Sequence, residues 1–234
     1  MADHPAFLDI SAMAARVCQG TPAADFTSGS HKAELHGPEV DVGILHIQGQ
    51  GTHSESAGDL FLLVLQGALQ VEAAGQSATL NVGEACMITR GTTLNWSASQ
   101  ATGVAFMRHI HSQTVAASLT LVDLNAQMAP SGAPLADLLI GPTPQCRNHT
   151  DIKSADGIFS VGTWDSTPYH RKPMHFVHYE MMYVLDGAVT ITDAHGVGQT
   201  FSKGQVVLAE KGADLAWEST VFVKKIFAYW KIPA

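Results

Sequence analysis

One pattern occurs twice in this chain. Leu65-Gln66-Gly67, Gly83 and Gly91-Thr92-Thr93-Leu94-Asn95-Trp96 return as Leu185-Asp186-Gly187, Gly204 and Gly212-Ala213-Asp214-Leu215-Ala216-Trp217. The displacement is 120 residues at the first glycine (67 to 187) and 121 at the last (91 to 212). Self-similarity of this kind means two copies of one folding unit, each with its own core. The copies agree where turns and packing are needed and disagree where a bound ion would need ligands, so function is sought in the disagreement.

The lead-ins are related as well: Phe7-Leu8-Asp9-Ile10-Ser11-Ala12 resembles Leu121-Val122-Asp123-Leu124-Asn125-Ala126. The duplication therefore spans whole halves, 1–116 and 117–234, with the Pro/Gly-rich stretch 129–148 forming an arm into the second. Within each half, short apolar or alternating runs end at glycine, as in Phe61-Leu62-Leu63-Val64-Leu65 before Gly67, or Ala188-Val189-Thr190-Ile191-Thr192 before Asp193-Ala194-His195-Gly196. Such runs are strands closed by tight turns. Helical periodicity is confined to about Ser11–Val17. The expectation is an all-β protein of two antiparallel barrels or jelly rolls with few, short helices.

Composition excludes several classes. With 46% apolar and 15% charged residues and no low-complexity run, the chain is globular rather than disordered. A formal charge of −8 with only 13 Lys and Arg leaves no basic stripe for nucleic acid. Cys18, Cys86 and Cys146 are odd in number and widely spaced, which suits reduced thiols. Met1-Ala2-Asp3-His4-Pro5 has neither a basic region nor an apolar run, and no window is long enough to span a membrane as a helix. A cytoplasmic protein without membrane or nucleic-acid partners is expected.

The run Tyr183-Val184-Leu185-Asp186-Gly187, with Glu180 before it and Gly204-Gln205-Val206-Val207-Leu208-Ala209-Glu210-Lys211-Gly212 and Trp217-Glu218 after it, resembles the cupin superfamily. It is most similar to the cupin domain of the (S)-ureidoglycine aminohydrolase type, in which Gly-x-x-x-x-Trp-Glu leads to a strand carrying Lys, here Lys224-Lys225-Ile226-Phe227-Ala228-Tyr229. The resemblance implies two tandem cupin barrels, that is, double-stranded β-helix jelly rolls. In metal-binding cupins a first motif supplies His-x-His and Glu, and a second supplies a further His. By that pattern Glu180 and His175 stand at ligand positions of the second half, while Pro173 and Leu215 occupy two others and cannot coordinate. In the first half His53 and Glu55 are capable ligands, but Leu60 and Leu94 are not. The first barrel is expected to be metal-free, degenerate and mainly structural.

The strongest functional candidate is His175-Phe176-Val177-His178-Tyr179-Glu180. Strand alternation points His178 and Glu180 into the barrel with Met182 and Val184 deeper on the same face, and a bulge would let His175 join them. Such a trio could hold one divalent Mn, Fe, Ni or Zn. Without metal, His178 and Glu180 could act as general acid and base, the carboxyl tending to a raised pKa in an apolar mouth. Trp164, Met182, Leu215, Trp217 and Tyr229 would line a small-molecule pocket. Of Lys224 and Lys225, which alternate faces, Lys225 could turn inward to pair with Glu180 or to capture an anionic substrate.

Three functions compete on this reading: a metal-assisted enzyme acting on a small polar nitrogenous or carboxylated metabolite, a metal-free binding or sensing module, and a purely structural cupin. A homodimer is expected, with segments 1–30 and 114–150 suited to covering exposed sheet edges.

Overall fold

The computed structural model describes residues 6–232, so the first five residues and their bearing on targeting lie outside the described residues. Strands make up 59% of the chain and helices 5%, as the alternating runs dictate. The one α-helix among the described residues is Ile10–Val17, where the helical period was read. No helix is long and apolar enough to cross a membrane.

Two compact units form. One comprises Ile10–Val122 with Ile152–Phe159; the other comprises Met1–Asp9, Asp123–Asp151 and Ser160–Ala234. In the first, a sheet runs in the order Ser30–Lys32, Val40–Ser54, Thr93–Ile110, Gly58–Gln66, Ala85–Ile88 and Leu119–Leu121, and the hairpin Ala68–Ala73/Gln76–Asn81 joins it through Thr93–Ile110. The faces turned inward carry Leu45, Leu60, Leu62, Val71, Leu94, Trp96 and Phe106, which form the core.

In the second unit one sheet is ordered Phe7–Asp9, Val206–Ala209, Tyr179–Asp186, Val223–Trp230, Phe159–Ser166, Cys146–Lys153, Ala129–Ser131. The other is ordered Leu139–Ile140, Tyr169–His175, Asp214–Ser219, Ala188–Asp193, Gly198–Ser202. Met182, Val184 and Val207 of the first sheet pack on Val189, Ile191, Phe201, Leu215 and Trp217 of the second, an antiparallel jelly-roll core.

The repeated glycines are structural. Gly67, Gly83 and Gly91 have φ of 75°, 84° and 91°, and Gly187, Gly204 and Gly212 have 80°, 88° and 91°. This region is open chiefly to glycine. At Gly187 a Cβ would also collide with the Phe222 carbonyl oxygen, and at Gly67 it would lie 2.6 Å from Thr102 Oγ1. The repeat thus survives where the backbone takes a conformation that side-chain-bearing residues rarely adopt.

Candidate ligand site in the second barrel

The Tyr179–Asp186 strand is central in its sheet, paired to Val206–Ala209 on one side and Val223–Trp230 on the other. Its alternation sends Glu180, Met182 and Val184 to the face that Lys225 reaches from the neighbouring strand. Lys225 is buried, and its Nζ donates to Glu180 Oε1 at 2.9 Å and to Met182 Sδ at 3.0 Å. The ammonium also lies 4.8 Å from the Trp164 ring centroid and 5.2 Å from that of Trp217, a cation–π setting on two faces. The inward Lys225 thus joins Glu180, Met182, Trp164 and Trp217 into one cluster.

The aromatic wall is continuous. Trp164 meets Trp217 edge-on at 5.8 Å, and Trp217 stacks on Tyr169 at 5.6 Å. His178 sits between Phe176 and Tyr229, at 4.7 and 4.5 Å, with its Nε2 3.7 Å from Glu180 Oε2. Leu215 is buried beneath.

The electrostatics correct one expectation. Burial alone would raise the Glu180 pKa, but the Lys225 charge and the His178 contact outweigh it and bring it down to about 2. Glu180 is therefore a fixed carboxylate and not the raised-pKa acid expected of an apolar mouth. Burial pushes the Tyr229 hydroxyl up to about 12, helped by the negative charge of Glu180, and burial raises Tyr169 also. Both phenols remain protonated donors at neutral pH.

Arg171 escaped the sequence reading. It lies opposite Trp217 in the Tyr169–His175 strand, is 4% exposed, and points at the same interior. Its guanidinium donates to the Lys172 carbonyl at 3.4 Å and to the Tyr169 side chain, and lies 5.7 Å from the Phe176 ring centroid. Among the described residues no carboxylate pairs with it within ion-pair distance, and burial lowers its pKa. The signal available in sequence was its inward parity: Arg171 is two residues from Tyr169, in a strand that ends at His175.

His175 does not join the cluster. The strand ends there, Phe176 bonds back to Gly212 and Ala213, and the His175 side chain is 61% exposed with Nδ1 3.1 Å from Asp214 Oδ1. The expected His175, His178 and Glu180 set for Mn, Fe, Ni or Zn is thus not brought together. Pro173 and Leu215 offer no donor atom, and an ammonium already sits 2.9 Å from the Glu180 carboxylate. A divalent ion there would face that ammonium at close range in a poorly screened interior. The donor set does not fit a metal, and among the described residues no three His, Cys, Asp or Glu side chains are placed to hold one. Lys225 supplies the positive charge instead.

Two jelly-roll barrels, with an inward carboxylate on the strand before the Gly187 turn, define this as a cupin fold. Residues 153–227 match the EutQ-like cupin domain family. A protein of unknown function of the DUF861 family from Pseudomonas syringae pv. tomato superposes with a TM-score of 0.83 at 26% identity, covering 89% of this chain and 92% of that one. The cupin 2 conserved barrel domain protein of Leptotrichia buccalis gives 0.55 at 13%, over 86% and 88%. Salicylate 1,2-dioxygenase of Pseudaminobacter salicylatoxidans gives 0.62 at 10%, over 99% and 86%. These last two share the fold alone. No curated protein sequence matches the chain.

Proposed function

We propose that this chain is a metal-independent receptor for a small carboxylated metabolite held in the second barrel. The observation that carries the proposal is Arg171. Glu180 is bonded to Lys225 at 2.9 Å, and although its charge also favours the Arg171 cation, no carboxylate among the described residues lies within ion-pair distance of that buried guanidinium. A buried charge is costly unless it is paired, and a ligand carboxylate would pair it in bidentate fashion. The protonated Tyr229 phenol, packed against His178, is a further donor in the barrel, and Trp164 and Trp217 supply flat apolar walls. The similarity to ureidoglycine aminohydrolase-type cupins through Trp217, Glu218 and Lys225 suggests a ligand that also carries nitrogen. On this reading Glu180 orients Lys225 and accepts from the ligand's N–H groups rather than shuttling protons.

Thermal denaturation with ureidoacetate as probe, in the presence of EDTA, tests the proposal. A saturable rise in melting temperature that EDTA leaves intact and Arg171→Met abolishes is expected. Because an unpaired buried guanidinium destabilises the free protein, Arg171→Met should melt at or above the wild-type temperature without ligand. Stabilisation that appears only when a divalent metal is added would overturn the metal-independent reading. So would an Arg171→Met variant that responds to ureidoacetate as the parent does.

A further inference from the structure

The first barrel, expected to be mainly structural, encloses a cavity of about 460 Å³, within the range of small-ligand sites. Its floor is apolar: Leu45, Leu60, Leu62 and Phe106 are all buried. Phe26 forms one wall, its ring stacked on His53 at 4.8 Å. At the mouth stand Arg108, Lys32 and the hydroxyl residues Thr27 and Ser30.

The charge balance here differs from that of the second barrel. Arg108 Nε and Nη2 donate to the two Glu55 oxygens at 3.1 and 2.9 Å, and Nη1 donates to Asp41 Oδ2 at 3.1 Å. Lys32 Nζ bonds the same Asp41 oxygen at 2.7 Å. Two cations therefore meet two carboxylates. His53 Nε2 closes the network at 3.1 Å from Glu55 Oε2, and the contacts of His53 and Arg108 hold Glu55 ionised against its burial, at about 2. Glu55 and Asp41 do not line the cavity, whereas Arg108, Lys32, Thr27 and Ser30 do. Each Arg108 side-chain nitrogen already donates to a carboxylate, which leaves the second N–H of Nη1 and of Nη2 outside those bonds. With Arg108 and Lys32 already paired to Glu55 and Asp41, the cavity holds no uncompensated cation to draw in an anionic ligand and offset its desolvation. An uncharged acceptor meets the Lys32 ammonium, the remaining Arg108 N–H groups and the Thr27 and Ser30 hydroxyls, which can turn to donate.

We infer that the first barrel is a second, independent binding site, for an uncharged small molecule with an aromatic or branched apolar body and a hydrogen-bond-accepting head such as a primary amide. The body lies on Leu60, Leu62 and Phe106 against Phe26, and the head faces Arg108, Lys32 and Ser30. The two barrels then differ in ligand charge because Arg171 is unpaired and Arg108 is paired.

Isothermal titration calorimetry with benzamide, with benzoate as its charged counterpart, decides the matter. Wild-type protein is expected to bind benzamide saturably and benzoate in this barrel at least tenfold more weakly. Leu60→Phe, which fills the floor, should abolish benzamide binding, and Arg171→Met, in the other barrel, should leave it unchanged. Thr27→Trp, an exposed rim change, should weaken it at least fivefold, so the test survives if Leu60→Phe fails to fold. Absence of benzamide binding in the wild type would overturn the inference. Equal or tighter binding of benzoate in the Arg171→Met background would also do so, as would benzamide affinity that neither Leu60→Phe nor Thr27→Trp changes.

Discussion

Lys225 decides what the second barrel can do, because it occupies with a fixed ammonium the position from which Glu180 would otherwise serve an ion or a proton. Removing either partner strands the other in a poorly solvated interior, so Glu180→Gln should cost about 3–5 kcal/mol, measured by urea denaturation at neutral pH. The pair Glu180→Gln with Lys225→Met should cost much less than the sum of the two single changes. The acid response follows from the direction of the shift. Glu180 and Glu55 both titrate near 2 in the folded protein, below the value near 4.3 of an unfolded chain. Their stabilising contribution is complete above the unfolded value and is lost as pH falls through the folded one. The urea midpoint should therefore decline steeply between about pH 4.5 and pH 2, and in Glu180→Gln that decline should be shallower. Part of this was legible in sequence. Parity along Tyr179–Asp186 put Glu180, Met182 and Val184 on one face, and Trp164 was expected across from Trp217, whereas an inward Lys225 was offered only by the family resemblance. His175 was not legible, because its direction depends on where the strand stops, and backbone bonds of Phe176 to Gly212 and Ala213 set that point. Arg171 was hidden because a lone arginine between His170 and Lys172 reads as part of a solvated run.

At the scale of elements, the turn glycines and alternating runs carried nearly all the information. Gly58–Gln66 and Ala188–Asp193 lie where the Phe61–Leu65 and Ala188–Thr192 runs place them, and the Asp193 turn is closed by its own carboxylate, which accepts from the His195 and Val197 amides at 2.8 and 2.9 Å. The equivalent glycines are not equal in cost. Gly187 and Gly204 share a positive φ, but only Gly187 has a neighbour, the Phe222 carbonyl, in the space a Cβ would take. Gly204→Ala should thus cost about 1 kcal/mol from backbone strain alone, and Gly187→Ala several times as much, since the Val223–Trp230 strand that carries Lys225 must shift. Denaturation of the two variants side by side measures the difference. The cavity of the first barrel was not legible at this scale. Leucines at 60 and 94 read as filling where a ligand set is missing, yet in the folded barrel Leu60 borders a void that Leu94 does not line.

At the scale of the whole chain, the duplication forecasts two units but not which residues each recruits. The strand Phe7–Asp9 pairs antiparallel with Val206–Ala209, Phe7 opposite Ala209 and Asp9 opposite Val207, and so belongs to the unit built mainly from the second half. Phe7 is buried and meets Phe201 edge-on at 6.0 Å, and Gln199 Nε2 donates to Asp9 Oδ2 at 2.5 Å. Local patterning gives no hint of this, because a three-residue strand has no period and its partner lies about 200 positions away in sequence. The strand covers the open edge of Val206–Ala209, next to the strand that holds Glu180. Deleting the chain through Asp9 should therefore destabilise that unit by about 3 kcal/mol or more, the scale of losing one buried phenylalanine. Tryptophan fluorescence is a selective reporter, since Trp164, Trp217 and Trp230 lie in this unit and Trp96 in the other. The expected outcome is an early fluorescence transition in urea that restoring Phe7–Asp9 moves back, while Leu8→Lys, which keeps the ladder and Phe7, shifts it little. A deletion variant with an unshifted fluorescence transition would mean that the second unit's edge needs no cover from its own N-terminus.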